Sequence, residues 1–210
     1  IHVSLRDRAS DKSAFFDPDQ AHNMSKLQRH FLAGQQRLMP EFLCMVAPTL
    51  NSYRRLIPGF WAPTDATWGV ENRTAALRVI PGSDKSQRQE YRLGAADGNP
   101  FLALSVAIGS GLYGIMQQWE PTAPVSGNAY AVKHPEELAL PRTLWDAAQR
   151  LKGSQAAREL FGDAFVEHWP DGVAVAQTQL CALMADLLGV PHDKPAAPPL
   201  LKAAFMREVH

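Results

Sequence analysis

Cysteine is scarce in this sequence, which has two among its 210 residues, Cys44 and Cys181. Two cysteines cannot build the disulfide framework typical of small secreted domains, so we expect a reducing, cytoplasmic compartment. Net charge is also missing, because 21 Lys and Arg side chains balance 21 Asp and Glu side chains. That balance argues against nonspecific nucleic-acid binding and against a polybasic membrane anchor.

A long apolar run without interruptions is absent too. Residues 98–119 hold no charged side chain, but they include several polar residues, Pro100 and glycines at 109, 111 and 114. A membrane-spanning helix needs ~20 predominantly apolar residues. The segment is therefore predicted to be a buried, closely packed helix, and no membrane association is expected.

The spacing of apolar residues predicts both helices and strands. One helix is predicted over 24–47, where Pro40 should kink or divide it. A second begins at Pro100, is capped by Asp97 or Asn99, and runs to about residue 118. The remaining predicted elements are strands over 2–5, 67–80 and 87–93, short helices over 142–151, 154–161 and 173–188, and loops over 49–65 and 120–141.

Arginine is concentrated in one part of the chain. Between residues 50 and 92, seven basic residues accompany four acids, and six of the seven are arginine. The planar fork of arginine binds carboxylates and phosphates. Arg88, Glu90 and Arg92 alternate, so on a strand they would share one face at intervals of ~6.6 Å. Such a face could place a metal-binding carboxylate between two anion-binding groups; the alternative is a charged, solvent-exposed edge strand.

Two further arginines, Arg73 and Arg78, are five residues apart. On one unbroken strand they would point to opposite sides, so a shared site requires one of them to lie at a bend or a strand end. The alternative is one solvated arginine and one structural ion pair. Cys44 lies on an apolar helical run, which favours a buried, unreactive thiol over a nucleophile.

Five ordered segments carry a more specific signal. They are HVSL at 2–5, APTLNSYRRL at 47–56, WGVENR at 68–73, RQEYR at 88–92 and ADGNPF at 96–101. Together they resemble the catalytic domain of the glutamine synthetase family, over about residues 2–168. The resemblance implies ATP-dependent amide formation, in which a glutamate γ-carboxylate is phosphorylated and ammonia or an amine then displaces the phosphate. It also implies an α+β fold, in which antiparallel strands pack with helices, and a requirement for Mg²⁺ or Mn²⁺.

The same resemblance implies roles for individual residues. Glu90 resembles a metal ligand, and Arg55 and Arg92 resemble the arginines that hold glutamate. Arg73 resembles the arginine beside the γ-phosphoryl group and is, with Arg55, a candidate catalytic residue. The implied ATP contacts are His2, Ser4, Arg73, Arg78, Lys85 and Arg88.

Some positions depart from the family pattern. Trp61 stands where ammonia-using members carry a flap glutamate, so it is a predicted substrate contact. This replacement favours the branch that resembles γ-glutamyl–amine ligases, which use an alkylamine or polyamine. Residues 169–210 are expected to form an atypical helical and Pro-rich tail.

The resemblance also bears on the whole protein. The family's other metal ligands and its N-terminal domain would precede Ile1, so the chain is expected to be a C-terminal fragment that is inactive alone. The full-length form is expected to be a homo-oligomer, since family members form dodecamers of two hexameric rings. The alternative function is a catalytically silent relative with a structural or assembly role.

Overall fold

The computed structural model describes residues 1–60 and 62–167 of the chain. In them, a four-stranded sheet and five α-helices contribute to one hydrophobic core, which confirms the α+β class. The strands are β1 (His2–Val3), β2 (Trp68–Val70), β3 (Leu77–Ile80) and β4 (Arg88–Tyr91). The helices are α1 (Lys26–Val46), α2 (Leu50–Arg55), α3 (Pro100–Met116), α4 (Leu144–Gly153) and α5 (Gln155–Phe161).

The sheet has the strand order β1-β4-β3-β2. β4 pairs antiparallel with both of its neighbours, as predicted. The single strand-like run over 67–80 is in fact two strands, β2 and β3, and these pair parallel rather than antiparallel. Two parallel strands require the chain to return along the length of the first strand before the second one begins. The three residues of β2 span only about 10 Å, so residues 71–76 are enough for this return.

Helix α1 is capped by Ser25, whose side chain accepts a hydrogen bond from the backbone N–H of Gln28. It continues as one helix across Pro40, so the predicted division does not occur. Proline removes one backbone hydrogen bond, but Met39 and Phe42 on either side are buried in the core. Their packing offsets the local cost, so tertiary contacts override the local preference.

Helix α2 occupies part of the predicted loop over 49–65, and it supplies Arg55. Thr49 and Ser52 form a reciprocal capping box at its start, in which each side chain accepts from the backbone of the other. A six-residue helix is too short to show a clear apolar period, which explains why the sequence pattern missed it. The Thr49-to-Ser52 spacing was the available signal.

Helices α1 and α3 touch along their backbones. A Cβ atom on Gly34 would lie 2.7 Å from the Cα of Gly114, and closer still to the carbonyl oxygen of Ser110. A Cβ on Gly114 would meet the backbone of Gly34 at 2.5 Å. Residues 109–114 have the G-x-G-x-x-G spacing of dinucleotide-binding turns, but they lie inside α3 and serve helix packing instead.

The start of α3 and the end of α5 agree with the predicted signals. Asn99 caps α3 by accepting from the amides of Phe101 and Leu102, and α5 ends at Gly162, which has a φ of 85°. The outer face of α3 is exposed, so the prediction of a buried helix holds for one face only. That outer face carries Phe101, Leu104, Ile108, Leu112 and Met116.

No helix in the described part of the chain has both the length and the apolarity needed to cross a bilayer. The predicted helix over 173–188 lies outside the described residues.

Candidate active site

The charged residues of β4 share one face of the sheet. Gln89 and Tyr91 are 0% and 1% exposed, whereas Arg88 and Glu90 are partly exposed on the opposite face. Arg92 follows on the charged side, as the alternation predicted. β4 lies between β1 and β3 and is therefore an inner strand, which shows that the edge-strand alternative is wrong.

The neighbouring strands place further basic side chains around Glu90. His2 on β1 and Arg78 on β3 both stand in register with Glu90. Arg73 lies in the turn between β2 and β3, so it meets the requirement for a bend. A cavity of about 710 Å³ results, and we call it the arginine cavity. It is lined by His2, Arg73, Arg78, Arg88, Glu90 and Arg92.

Glu90 is the one carboxylate among the residues that line the arginine cavity. Its oxygens lie 3.5 Å from Nη1 of Arg78, 3.8 Å from Nε of Arg92 and 3.9 Å from Nε2 of His2. Four guanidinium groups against one carboxylate give the cavity a surplus of positive charge. Fixed guanidinium groups of this kind suit a ligand with several negative charges, such as a polyphosphate.

Several of these arginines are held in place by protein oxygens. Nη1 of Arg92 donates to the carbonyl of Ala75 at 2.9 Å, and Nη1 of Arg88 donates to the carbonyl of Ser86 at 3.0 Å. Burial lowers the pKa of Arg92 from its ordinary value, although Glu90 acts in the opposite direction. The guanidinium stays charged because the ordinary pKa of arginine is so far above neutral.

Arg78 is held by a second acid. Its Nε donates to Oε2 of Glu71 at 3.0 Å, and this hydrogen bond raises the pKa of Arg78. Arg73 is exposed and Arg78 is ion-paired, which agrees with the alternative prediction of one solvated arginine and one structural ion pair. Both nevertheless line the same cavity, so the ion pair and a shared site coexist.

A second cavity of about 540 Å³ adjoins the first, and we call it the Arg55 cavity. Arg55 reaches it from the last turn of α2, with Nη2 donating to the carbonyl of Leu93 at 3.1 Å. Glu90 and Arg92 line both cavities and so form their common wall. The lining of the Arg55 cavity also includes the apolar residues Ala103 and Leu104.

Not every residue singled out in the sequence lies at these cavities. Ser4 and Lys85 line neither of them; both are exposed, Ser4 just beyond β1 and Lys85 in the turn before β4. Trp61 lies outside the described residues. Cys44 is fully buried, and its pKa is raised by burial to about 12, so the prediction of an unreactive thiol is confirmed.

One group of residues behind the site escaped the sequence analysis. Gln28, Gln35, Gln87 and Gln89 are almost fully buried between α1 and β4. Glutamine is usually a surface residue, so the positions of these glutamines on α1 and β4 do not by themselves predict burial. The available signal was the phase of Gln87 and Gln89, which alternate with the charged residues of β4.

Comparison with known proteins identifies the domain type. A family model described as glutamine synthetase, catalytic domain, matches residues 1–184. In the solved ligand-free structure of GmaS, a similar fold covers 91% of this chain and 42% of that one, with a TM-score of 0.71 and 26% sequence identity.

Curated relatives are similar at higher identity. Type-1 glutamine synthetase 2 of Dictyostelium discoideum is 40% identical over 171 residues, which are 80% of this chain and 33% of that protein. The γ-glutamylethanolamide synthetase of Streptomyces coelicolor is 40% identical over 186 residues, 89% of this chain and 38% of that protein.

A third relative is the glutamate–isopropylamine ligase of a Pseudomonas species. It is 36% identical over 169 residues, 80% of this chain and 37% of that protein. The chain thus spans between a third and two fifths of the length of these relatives. With the family model matched across 184 residues and the paired cavities at β4, the chain belongs to the glutamine synthetase family.

Proposed function

We propose that this chain is part of an ATP-dependent ligase that joins the γ-carboxylate of glutamate to an amine through a γ-glutamyl phosphate. The observation that supports it most is the pair of adjoining cavities that share Glu90 and Arg92. A reaction between two anionic substrates needs both bound side by side, with their charges neutralised. The proposal concerns the complete gene product, because the chain matches less than half of each relative's length.

The two cavities divide the substrates between them. The arginine cavity would take the ATP phosphates, with His2, Arg78 and Arg88 around them and Arg73 beside the group in transfer. Ser4 and Lys85, which line neither cavity, would contact the rest of the nucleotide. The Arg55 cavity would hold glutamate, with Arg55 and Arg92 binding its carboxylates. Phosphoryl transfer needs mainly positioning and charge neutralisation, which these arginines supply.

Glu90 would hold the divalent cation. Its side chain is 23% exposed and faces the arginine cavity, and a carboxylate oxygen is the ligand type that Mg²⁺ and Mn²⁺ prefer. In the described residues, no group of three or more His, Cys, Asp or Glu side chains could hold a metal. Glu90 would therefore supply one oxygen ligand, and the rest of the coordination would come from other parts of the complete gene product, from water and from substrate phosphates. The cation would neutralise charge on the phosphoryl group.

Glu90→Gln tests this assignment. We expect Mn²⁺ affinity to fall about tenfold or more, because a neutral amide replaces a charged oxygen ligand of nearly equal size. Calorimetric titration of the complete gene product with Mn²⁺ measures the change. Glu71→Gln is the matched control, since Glu71 also pairs with Arg78 but does not line the cavity. Equal losses in the two variants would assign Glu90 to ion pairing alone.

An amine larger than ammonia is the favoured second substrate. Trp61 replaces the flap glutamate expected by resemblance, and an indole has no acceptor with which to take a proton from ammonium. It can instead pack against an alkyl chain and exclude water. Two of the relatives are named for ethanolamide and isopropylamine products or substrates, which supports this choice.

An amine panel tests the choice directly. The complete gene product is expected to show a kcat/KM for methylamine, ethylamine or putrescine at least about tenfold above that for ammonia. Trp61→Glu should shift the preference toward ammonia, whereas Trp145→Glu, at an exposed tryptophan of α4, should leave it unchanged. A wild-type preference for ammonia would remove the amine-ligase assignment, and the absence of glutamate-dependent phosphate release with any amine would favour the silent relative.

A further inference from the structure

A row of buried glutamine side chains lies directly behind the charged face of β4. Gln87 and Gln89 are 1% and 0% exposed, and Gln28 and Gln35 on α1 are both 0% exposed. Buried amides are costly unless their donors and acceptors are paired. Four of them in one core region therefore indicate a specific arrangement rather than general packing.

The four amides form one directional chain of hydrogen bonds, which we call the amide ladder. Nε2 of Gln87 donates to Oε1 of Gln28 at 2.7 Å, and Nε2 of Gln28 donates to Oε1 of Gln89 at 3.4 Å. Nε2 of Gln89 then donates to Oε1 of Gln35 at 2.7 Å. Each amide accepts from one neighbour and donates to the next, an order in which hydrogen bonds strengthen one another.

Both ends of the amide ladder are anchored on backbone. The N–H of Gly82 donates to Oε1 of Gln87 at 2.8 Å, in the turn that leads into β4. At the other end, Nε2 of Gln35 donates to the carbonyl of Ala107 on α3 at 2.6 Å. The ladder thus joins the β3–β4 turn, β4, α1 and α3.

The amide ladder fixes the position of β4 over α1 more narrowly than apolar packing would. Apolar contact tolerates sliding, whereas a chain of hydrogen bonds of fixed length and direction accepts few arrangements. The residues opposite Gln87 and Gln89 on the pleat are the charged ones, and a register slip would turn them toward the core. We infer that Gln35 and Gln89 are positioning residues, which hold β4 over α1 and so set the relative places of Arg88, Glu90 and Arg92.

Gln36 offers a matched comparison for this role. It follows Gln35 on α1 and is 1% exposed, but it contacts other elements. Its Nε2 donates to the carbonyl of Ala66 at 2.8 Å and to Oγ1 of Thr122 at 2.9 Å, and its Oε1 accepts from the N–H of Thr122 at 3.0 Å. Methionine is unbranched and similar in length, so Gln35→Met and Gln36→Met each remove one buried amide from the same helix.

The test compares hydrogen exchange and kinetics in the two variants of the complete gene product. In Gln35→Met, the backbone N–H groups of residues 88–91 should exchange about tenfold faster or more. The side-chain amide of Gln89 loses its acceptor in this variant, and a buried unpaired donor favours local opening of β4. In Gln36→Met these backbone N–H groups should not exchange faster, beyond the change in global stability measured by urea unfolding. Hydrogen exchange does not depend on the enzyme's activity, so it tests the positioning role even if the proposed function is wrong.

The kinetic measurement rests on the proposed function. Gln35→Met should lower kcat by about 10- to 100-fold while KM for the amine changes little, since small misplacements of reacting groups are costly. Gln36→Met should keep kcat near the wild-type value. Equal exchange rates in β4, or equal kcat values at equal stability, would overturn the positioning role. If Gln35→Met does not fold, Gln28→Met serves, because it also breaks the ladder at Gln89, by removing the 3.4 Å bond to Gln89 together with the 2.7 Å bond from Gln87.

Discussion

Arg73→Lys is expected to lower kcat of the complete gene product by about 100-fold or more, with folding largely intact. Arg73 lies at an exposed turn and lines the arginine cavity, so its replacement disturbs no core packing. Lysine keeps the positive charge but loses the planar fork that can bind two phosphoryl oxygens together. One preorganised donor to developing charge is typically worth ~3 kcal/mol of transition-state stabilisation.

The measurement is kcat from glutamate-dependent phosphate release, with the free energy of unfolding determined for the same samples. Arg54→Lys is the matched control, because Arg54 is an exposed arginine on α2 that lines neither cavity. It should leave both quantities unchanged. If Arg73→Lys retained wild-type kcat, Arg73 would be a solvated surface residue and the phosphoryl position would have to be assigned to another arginine.

Gly34→Ala is expected to destabilise the fold by about 2 kcal/mol or more. The new methyl group would meet the Cα of Gly114 at 2.7 Å and the carbonyl oxygen of Ser110 even closer. These are backbone atoms of α3, so no side chain can turn aside to make room. Overpacking of this kind usually costs about 1–3 kcal/mol, and the rigid neighbour on α3 places Gly34 at the upper end. The helix preference for alanine returns only about 1 kcal/mol.

Urea unfolding followed by circular dichroism measures this effect. Gly153→Ala, at the end of α4, is the control, because a Cβ atom there would meet nothing within 4 Å. We expect it to be neutral or to stabilise by up to about 1 kcal/mol. A wild-type unfolding midpoint for Gly34→Ala would mean that α1 and α3 can separate without cost.

The helices that begin with a strong local signal were predictable from the sequence. Asn99 and Pro100 marked the start of α3, and Gly162 marked the end of α5. Pro40 does not divide α1, because the local rule for proline takes no account of the buried residues on both sides of it. The β2–β3 pairing was not predictable either, since a run of strand-like residues does not show where a chain turns back on itself.

The charged face of β4 was also predictable from the sequence. Arg88, Glu90 and Arg92 alternate with a period of two, and the need for a bend near Arg73 followed from its distance to Arg78. The back of the strand was not legible, because glutamine on an inner face contradicts the usual polar-out pattern. Only the partners on α1 show that Gln87 and Gln89 belong to the interior.

The common wall formed by Glu90 and Arg92 has a thermodynamic consequence. Any ligand that draws Arg92 or Glu90 toward one cavity changes the charge that the other cavity presents to its own ligand. Such a coupling free energy is reciprocal, so under the proposed function nucleotide would alter the affinity for glutamate by the same factor by which glutamate would alter the affinity for nucleotide. The dissociation constant of either ligand is therefore a property of the pair of cavities, and it has a definite value only when the occupancy of the neighbouring cavity is stated.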